Sequence, residues 1–200
     1  MDIGIFGGSF DPVHIGHLQI AEEVAEVLQL KQVWFIPVGY PPHRDKPIAT
    51  PKQRWDMLKL AISDNARFKA KALEINNKTK AYTINTLKKI KANYPKNNYY
   101  LLMGADQIIN LDKWHQAEKI LKYAKIIGIS RSNISLSKVR AKLNTQLFKQ
   151  WEDRIKFLQL SLLDISSSRI RDYLAKSVSI RYLVPEKVNE YIIKKGLYLN

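Results

Sequence analysis

The sequence predicts an α/β fold, a doubly wound and mainly parallel sheet with helices on both of its faces. Short apolar runs of the kind that form buried strands alternate along the whole chain with segments whose apolar residues recur at helical spacing. The 200 residues contain no internal repeat, low-complexity tract or linker. We therefore expect one domain that covers residues 1–200.

The first half of the chain is expected to supply three strands and two helices. Their predicted ranges are strand 2–6, helix 15–28, strand 33–38, a helix that starts near Pro51, and an edge strand at 67–76. Thr50 and Gln53 fit a capping box with Pro51 at the first helical position. The spacing predicts that this second helix buries Trp55 and Leu58.

The second half is expected to continue the alternation. The predicted ranges are helix 83–93, strand 98–104, strand 125–130, a helix near 135–148, strand 155–160, a helix that ends near 176, and a last helix from about Pro185. We expect Asp112 to cap the helix after strand 98–104, and Ser166 or Ser167 to cap the helix that ends near 176. Gly196 is typical of a helix C-cap.

The chain is strongly basic, with a net charge of +15 and an isoelectric point near 9.8. Such a charge suits a nucleic-acid partner, lysines that solvate helix faces, or a field that attracts a polyphosphate substrate. The lysines are scattered and form no run of about five like charges, which favours solvated faces. Composition alone does not decide among the three.

The residue types and segments that the chain lacks limit the possible chemistry and the possible cellular location of the protein. The chain has no cysteine, so disulfides, zinc–cysteine sites and thiol nucleophiles are excluded. The N-terminus lacks the basic segment of a signal peptide, and no run of about 18 apolar residues follows it. We expect a soluble, cytoplasmic protein.

Unusual residues cluster just after predicted strands. In a doubly wound sheet, ligands bind at the carboxyl ends of the strands, near the switch in strand order. The segments that follow four strands contain Gly7, Gly8, Ser9, Phe10 and His14; Pro41, Pro42, His43 and Arg44; Gly104, Asp106, Trp114 and His115; and Ser166, Ser167, Ser168, Arg169 and Arg171. All four histidines of the chain fall in these segments. We therefore expect a ligand site at this edge of the sheet.

Two of these segments have the chemistry of a phosphate site. Gly7 and Gly8 let the backbone approach a ligand and adopt positive φ, and the helix start behind them offers N–H groups. Serine hydroxyls and arginines at another helix start make a second phosphate cradle in 166–171. A triphosphate can lie between two such N-termini. A tight turn without a ligand, and a plain serine cap with surface arginines, are the alternatives.

His14 and His17 are three residues apart, so they share one face of the first helical turn. There they can donate hydrogen bonds to phosphate oxygens, and more strongly when protonated. A packing or capping pair is one alternative. A zinc site with His43 is another, but neither cysteine nor a nearby glutamate completes it, so we expect no metal site in the protein.

Two motifs resemble those of a known superfamily. GGSFDPVHIGHL (7–18) is similar to the N-terminal motif, and ISSSRIR (165–171) to the second motif, of the nucleotidyltransferases related to class I aminoacyl-tRNA synthetases. Within that superfamily the chain resembles the bacterial nicotinate-nucleotide adenylyltransferases. The segments that carry this closer resemblance are PPHR (41–44), AYTINTL (81–87), 104–121 and 184–198. The resemblance covers essentially the whole chain.

The chain departs from the pattern of this family at three places. Arg44 stands where lysine is usual, which keeps the charge but can change the geometry. Ser168 stands where threonine is common. Residues 131–133 read RSN where arginine-proline-glycine is usual, and residues 132–150 match least well.

The resemblance implies a Rossmann-like fold and the transfer of the adenylyl group of ATP to nicotinate mononucleotide. The products would be pyrophosphate and nicotinate adenine dinucleotide, a step of NAD biosynthesis. The phosphate of the acceptor would attack in line, so no covalent enzyme intermediate is expected. Mg²⁺ would arrive on ATP rather than in a protein cage. Neither a nucleic-acid nor a membrane partner is implied, and the oligomeric state is left open.

The resemblance also assigns roles to residues. The implied catalytic residues are His14, His17 and Arg171. The implied ATP-binding residues are Gly7, Gly8, Ser9, Phe10, His14, Gly16, His17, Gly104, Asp106, Ile165, Ser166, Ser167 and Arg171. The implied substrate-binding residues are Arg44, Tyr82, Thr83, Asp106 and Trp114, with Trp114 stacked on the pyridine ring. Preference for nicotinate over nicotinamide rests on the family alone.

Two other functions stay open on sequence grounds. Another adenylyltransferase of the same fold, such as the pantetheine-phosphate enzyme, is disfavoured by the segments 81–87 and 104–121. A basic nucleic-acid-binding protein with a relic fold would have an exposed basic stripe and salt-dependent binding without turnover. The scattered lysines and the intact motifs disfavour that function.

Overall fold

One six-stranded parallel sheet organises the residues that the computed structural model describes, which are 1–39, 47–76, 81–131 and 149–199. Its strands are β1 (Asp2–Gly8), β2 (Gln32–Pro37), β3 (Phe68–Ala70), β4 (Asn98–Gly104), β5 (Lys125–Arg131) and β6 (Ile155–Leu160). The helices are α1 (Ile15–Val27), α2 (Pro51–Ala61), α3 (Thr83–Asn93), α4 (Ala105–Ile108), α5 (Ala117–Tyr123), α6 (Ser167–Ala175) and α7 (Glu186–Lys195), with 3₁₀ turns at Leu111–Lys113 and Glu152–Arg154.

The strand order is β3-β2-β1-β4-β5-β6, and every neighbouring pair is parallel. The chain therefore builds the sheet in one direction from β1 to β3 and in the other direction from β4 to β6. This reversal puts the switch in strand order between β1 and β4. It confirms the predicted doubly wound, Rossmann-like architecture and identifies the crevice outside β1 and β4 as the expected ligand site.

Both faces of the sheet are buried, which explains why its strands read as continuous apolar runs. On one face, Ile3 and Ile5 of β1 belong to a core that includes residues of α3 and α5. On the other face, Phe6 belongs to a core that includes residues of α1, α2, α6 and α7. Successive residues of a strand point to opposite faces, so the apolar run of β1 contributes to two cores at once.

The predicted helix boundaries are confirmed where local capping specifies them. Thr50 and Gln53 form the reciprocal capping box around Pro51. Ser166 accepts a hydrogen bond from the backbone N–H of Arg169 at the start of α6. Gly196 ends α7 in the left-handed conformation, with a φ of 56°. Within the described segments, no helix combines the length and the apolar character that crossing a bilayer requires.

Three predictions about elements are wrong. β3 is much shorter than 67–76, because its pairing with β2 ends at Ala70 and the chain then leaves the sheet edge. Trp55 is only half-buried; its neighbour Arg54 is buried instead, because that side of α2 faces the loop after β1. Asp112 lies inside a 3₁₀ turn, because α5 starts only after Gln116, whose left-handed backbone redirects the chain. The helix predicted at 135–148 lies outside the described residues.

Candidate active site

A cavity of about 520 Å³ opens at the carboxyl ends of β1 and β4, at the switch in strand order. This volume is typical of sites for small molecules. Its lining brings together predicted residues from both halves of the sheet, namely Gly7, Gly8, Ser9, Tyr82, Thr83, Asp106 and Trp114. A second group of predicted residues lies at the N-termini of α1 and α6. The signature loop, residues 9–14, joins the two groups.

The two glycines at the end of β1 act differently from the prediction. Both lie within β1, where Gly8 pairs with Pro37 of β2, and neither adopts a positive φ. The strand continues through them, so the turn comes later and the positive φ falls on Phe10, at 48°. A Cβ added to Gly7 would meet nothing within 4 Å. Gly7 therefore presents bare backbone to the open cavity, as close approach to a ligand requires.

The histidine pair is assembled at the first turn of α1. His14 is the N-cap, and its backbone N–H donates a hydrogen bond to Nδ1 of His17 at 3.2 Å. The two rings are stacked, with centroids 3.6 Å apart. Because Nδ1 of His17 accepts a hydrogen bond, the proton of the neutral ring belongs on Nε2. His17 is thus held as one tautomer, with Nε2–H as its donor.

The electrostatics of the pair favour a neutral His17. Burial of the ring, and next the positive charge that His14 can carry, hold the pKa of His17 well below its ordinary value of 6.5. Protonation would also place a hydrogen on the Nδ1 atom that faces the N–H of His14. The neutral form of His17, rather than the more strongly donating protonated form, is therefore favoured in the free protein. At neutral pH the Nε2–H of this ring can donate a hydrogen bond without a net charge.

Gly16 lets the two predicted phosphate cradles approach each other. A Cβ at this position would lie 3.2 Å from Nδ1 of His14 and 3.6 Å from Cβ of Ile165. The first separation is tighter than side chains normally tolerate, so the packing of the His14 ring depends on glycine. Ile165 directly precedes the Ser166 cap of α6. The two helix N-termini are therefore neighbours, as predicted.

The start of α6 is tied to the signature loop by two hydrogen bonds. Ser167 Oγ donates to the carbonyl oxygen of Pro12 at 2.9 Å. Arg171 Nη1 donates to the carbonyl oxygen of Asp11 at 2.8 Å. A guanidinium carries five N–H donors, so this bond orients Arg171 and leaves further donors for an anion.

Phe10 does not line the cavity as predicted. Its side chain is 1% exposed and packs in the core on the α1 face of the sheet. Its ring meets the ring of His17 edge-on, with centroids 5.1 Å apart and planes at 75°. The positive φ of Phe10 turns the side chain inward. Phe10 therefore supports His17 from the core side.

Aromatic side chains form another part of the cavity wall. Tyr82 is the N-cap of α3, Thr83 is its first residue, and Trp114 follows the 3₁₀ turn after α4. All three line the cavity. The ring of Tyr82 also contacts the ring of His115, with centroids 4.7 Å apart. This wall offers flat, largely apolar surfaces to a ring and the N-terminus of a helix to an anion.

Asp106 stands between the two sides of the cavity. It lies in the first turn of α4, directly after β4. A Cβ at Gly104 would collide with its carboxylate oxygen, so glycine at the end of β4 is what gives the Asp106 side chain its room. Arg44 and His43 lie outside the described residues.

Two buried polar residues of the cavity were missed by sequence reasoning. Glu74 and Thr86 both line it and are both buried, and the hydroxyl of Thr86 donates a hydrogen bond to Oε1 of Glu74. Burial raises the pKa of Glu74, and the bond from Thr86 partly opposes that rise. Thr86 lies in the segment 81–87 that carries the family resemblance, which was the one available signal.

Metal ligands do not gather at this site. Among the described residues, no three histidine, aspartate or glutamate side chains are grouped closely enough to hold a metal ion. Oxygen ligands suit Mg²⁺, and a triphosphate supplies them itself. A magnesium ion carried by a nucleotide therefore fits the residues present, whereas a resident ion has no cage among them.

The chain is similar to known proteins over its whole length. The sequence model of the cytidylyltransferase-like family matches residues 5–173. A protein of Caldicellulosiruptor saccharolyticus is 40% identical over 198 residues, which cover 99% of both chains. A protein of Dictyoglomus thermophilum is 39% identical over 199 residues, which cover 100% of both chains. Each carries the name "Probable nicotinate-nucleotide adenylyltransferase".

A solved structure has the same fold. The nicotinic acid mononucleotide adenylyltransferase of Plasmodium falciparum, complexed with NaAD, superposes with a TM-score of 0.76 at 24% identity, and the match covers 98% of this chain and 97% of that one. The fold, the order of the motifs and the full-length identity to curated relatives agree. The chain belongs to the cytidylyltransferase-like family and, within it, to the nicotinate-nucleotide adenylyltransferases.

Proposed function

We propose a mechanism by which this chain carries out the reaction of its family. In that reaction the adenylyl group of ATP is transferred to nicotinate mononucleotide and pyrophosphate is released. One observation carries the proposal. At the switch between β1 and β4, two helix N-termini with histidines and an arginine lie next to a cavity with an aromatic wall. The helix N-termini with the histidines and the arginine suit a triphosphate. The cavity with the aromatic wall suits a pyridine nucleotide.

On the ATP side, the triphosphate lies across the N-termini of α1 and α6. Unpaired backbone N–H groups and the positive dipole ends of helices stabilise phosphate. His14, His17 and Arg171 add directed donors. The residues proposed to complete the nucleotide site are Gly7, Gly8, Ser9, Gly16, Gly104, Asp106, Ile165, Ser166 and Ser167. Mg²⁺ enters as part of the Mg·ATP substrate and offsets the charge of its phosphates.

The chemical step requires no protein nucleophile. An oxygen of the acceptor phosphate, already ionised at neutral pH, attacks the α-phosphorus of ATP in line. The bond from the α-phosphorus to the bridging oxygen breaks, and pyrophosphate leaves with its electron pair. The task of the protein is to align two anions and to stabilise charge on the leaving group. The neutral Nε2–H of His17 suits this task because it needs no change of protonation.

On the acceptor side, the pyridine ring stacks on Trp114, with Tyr82 and Thr83 at its edge. The N-terminus of α3 opens on the cavity at these two residues. Helix N-terminal N–H groups bind a carboxylate more strongly than a neutral amide, which supports nicotinate as the preferred ring. We propose that Arg44 meets the phosphate of the acceptor. The proposal needs neither nucleic acid nor membrane, and the charge of +15 then attracts anionic substrates.

The experiment is pyrophosphate release from Mg·ATP with one acceptor at a time. The acceptors are nicotinate mononucleotide, nicotinamide mononucleotide and phosphopantetheine. We expect release with the first to exceed release with the second by at least about tenfold, the effect of about 1.4 kcal/mol, and none with the third. Equal rates for the acid and the amide would contradict the proposed role of α3. A folded sample that turns over no acceptor would contradict the function.

A further inference from the structure

A buried carboxylate fixes the signature loop from two directions. Asp11 is 4% exposed. Its Oδ2 accepts a hydrogen bond from the backbone N–H of Ile48 at 2.7 Å, and its Oδ1 accepts one from the N–H of Ala49 at 3.1 Å. Oδ1 also accepts a hydrogen bond from the hydroxyl of Tyr198 at 2.7 Å. The segment before α2 and the segment after α7 thus hold the same side chain.

The backbone of Asp11 holds a predicted catalytic residue. Its carbonyl oxygen accepts the hydrogen bond from Nη1 of Arg171 at 2.8 Å. Three residues further along the loop, His14 begins α1. A shift of Asp11 would therefore move the partner of Arg171 and the start of the histidine pair together.

The charge of Asp11 also acts on a buried arginine of the same loop contact. Arg54 is 1% exposed, and its Nη1 donates to the carbonyl oxygen of Ser9 at 2.7 Å, at the other end of the same loop. Burial lowers the pKa of Arg54, and the charge of Asp11 partly restores it. The charge of Asp11 therefore stabilises a buried cation that holds the start of the same loop.

Tyr198 serves as a permanent donor in this arrangement. Gly196 and Tyr198 both adopt the left-handed backbone conformation, which turns the chain back after α7 and buries the tyrosine ring. Burial, and next the charge of Asp11, raise the pKa of Tyr198 far above its ordinary value. The hydroxyl therefore keeps its proton, and the hydrogen bond to Asp11 persists across the physiological pH range.

We propose that Asp11, Arg54 and Tyr198 form a positioning network for adenylyl transfer, in which a tyrosine 187 residues beyond Asp11 fixes the signature loop against the triphosphate. The proposal rests on the proposed function. None of the three residues lines the cavity among the described residues. They act through the carbonyl oxygens of Ser9 and Asp11, which set where Arg171 and the histidine pair stand. Misplacement of catalytic donors by a fraction of an ångström lowers kcat more than it lowers substrate binding.

The test compares two tyrosines whose hydroxyls reach a carboxylate. Tyr198→Phe removes the bond to Asp11. Tyr191→Phe, the matched control, removes a 3.3 Å bond to Oδ2 of Asp56 that links α7 to α2 away from the signature loop. We expect Tyr198→Phe to lower kcat about tenfold with KM for both substrates nearly unchanged, and Tyr191→Phe to keep the wild-type kcat. Equal kcat values for the two variants would overturn the proposal.

A second readout does not depend on turnover. In protein labelled with ¹⁵N-histidine, the ring nitrogen shifts report which nitrogen of His17 carries the proton. We expect Tyr198→Phe to change these shifts and Tyr191→Phe to leave them as in the wild type. Unchanged shifts in Tyr198→Phe would contradict the network even if the wild type turned over no acceptor, so failure of the function and failure of the network can be told apart.

Arg54→Lys covers the case in which Tyr198→Phe does not fold. Lysine keeps the charge but lacks the planar fork that reaches Ser9. The matched control is Arg67→Lys, at a surface arginine that pairs with Glu26. We expect about a tenfold loss of kcat in Arg54→Lys and none in Arg67→Lys. A wild-type kcat in Arg54→Lys would count against the network.

Discussion

His17 combines a fixed tautomer with a lowered pKa. The backbone N–H of His14 occupies Nδ1, and the stacked ring of His14 opposes a positive charge on His17. Phe10 contacts the ring of His17 edge-on. Each contact comes from the signature loop or the first turn of α1, so a local segment creates the donor that the proposed mechanism uses.

The lowered pKa of His17 predicts how stability depends on pH. Between its lowered folded-state pKa and the ordinary value of 6.5, the unfolded chain binds a proton at this residue that the folded chain does not. The stabilising contribution is therefore complete above 6.5 and is lost as pH falls below it. We expect the free energy of unfolding of the free protein to decrease from about pH 7 to about pH 5, and to decrease less steeply in His17→Ala.

Denaturant unfolding at several pH values measures this difference. The comparison of the two proteins removes the contribution of titrating groups that do not interact with residue 17. Parallel curves for the wild type and His17→Ala over that pH range would contradict a lowered pKa.

At the scale of elements, helix starts carry both stability and binding. Ser166 caps α6 next to the proposed phosphate site, whereas Thr50 caps α2 with an equally local hydrogen bond. Replacing either cap with alanine should cost about 1 kcal/mol of stability. Only Ser166→Ala should also raise KM for Mg·ATP, by severalfold. Thermal or denaturant unfolding measures the stability of each variant, and steady-state kinetics measures its KM for Mg·ATP. A KM in Ser166→Ala equal to that of the wild type would contradict a binding role for the start of α6.

The elements themselves were readable from the sequence because their causes are local. α3, β4 and β6 begin and end where predicted, since strands buried on both faces give unbroken apolar runs and helices repeat every 3.6 residues. The predicted range of β3 was wrong because an edge strand ends where its pairing ends, here at Ala70 opposite Phe35, and the alternation in its own sequence does not encode that point. The prediction that Asp112 caps a helix was wrong because this residue lies inside a 3₁₀ turn.

At the scale of the whole molecule, the candidate site was only partly predictable. Sequence motifs predicted His14, His17 and Arg171 as site residues, because their spacing and their place after strands are local properties, and the structure places all three around the signature loop. The partners of the loop were not predictable, because Asp11 and Tyr198 are 187 residues apart and meet only once the sheet and α7 are assembled. The direction of the Phe10 side chain was not predictable for a related reason, since the side chain turns into the core at a residue with a positive φ.

The whole-molecule arrangement explains why so small a chain can perform the reaction. One switch in strand order brings β1 and β4 side by side, which puts the signature loop and the aromatic wall at one crevice. The chain after β6 then returns to place the start of α6 against the signature loop. The proposed mechanism therefore depends on stabilisation of the transition state by the histidine pair at that switch.

The kcat of His17→Ala for pyrophosphate formation from Mg·ATP and nicotinate mononucleotide tests this claim most directly. Circular dichroism and the melting temperature establish that the variant is folded. The account predicts a loss of kcat of at least about 100-fold, the usual effect of removing one preorganised donor from a transition state, with a smaller change in KM. A folded variant with a kcat like that of the wild type would contradict it.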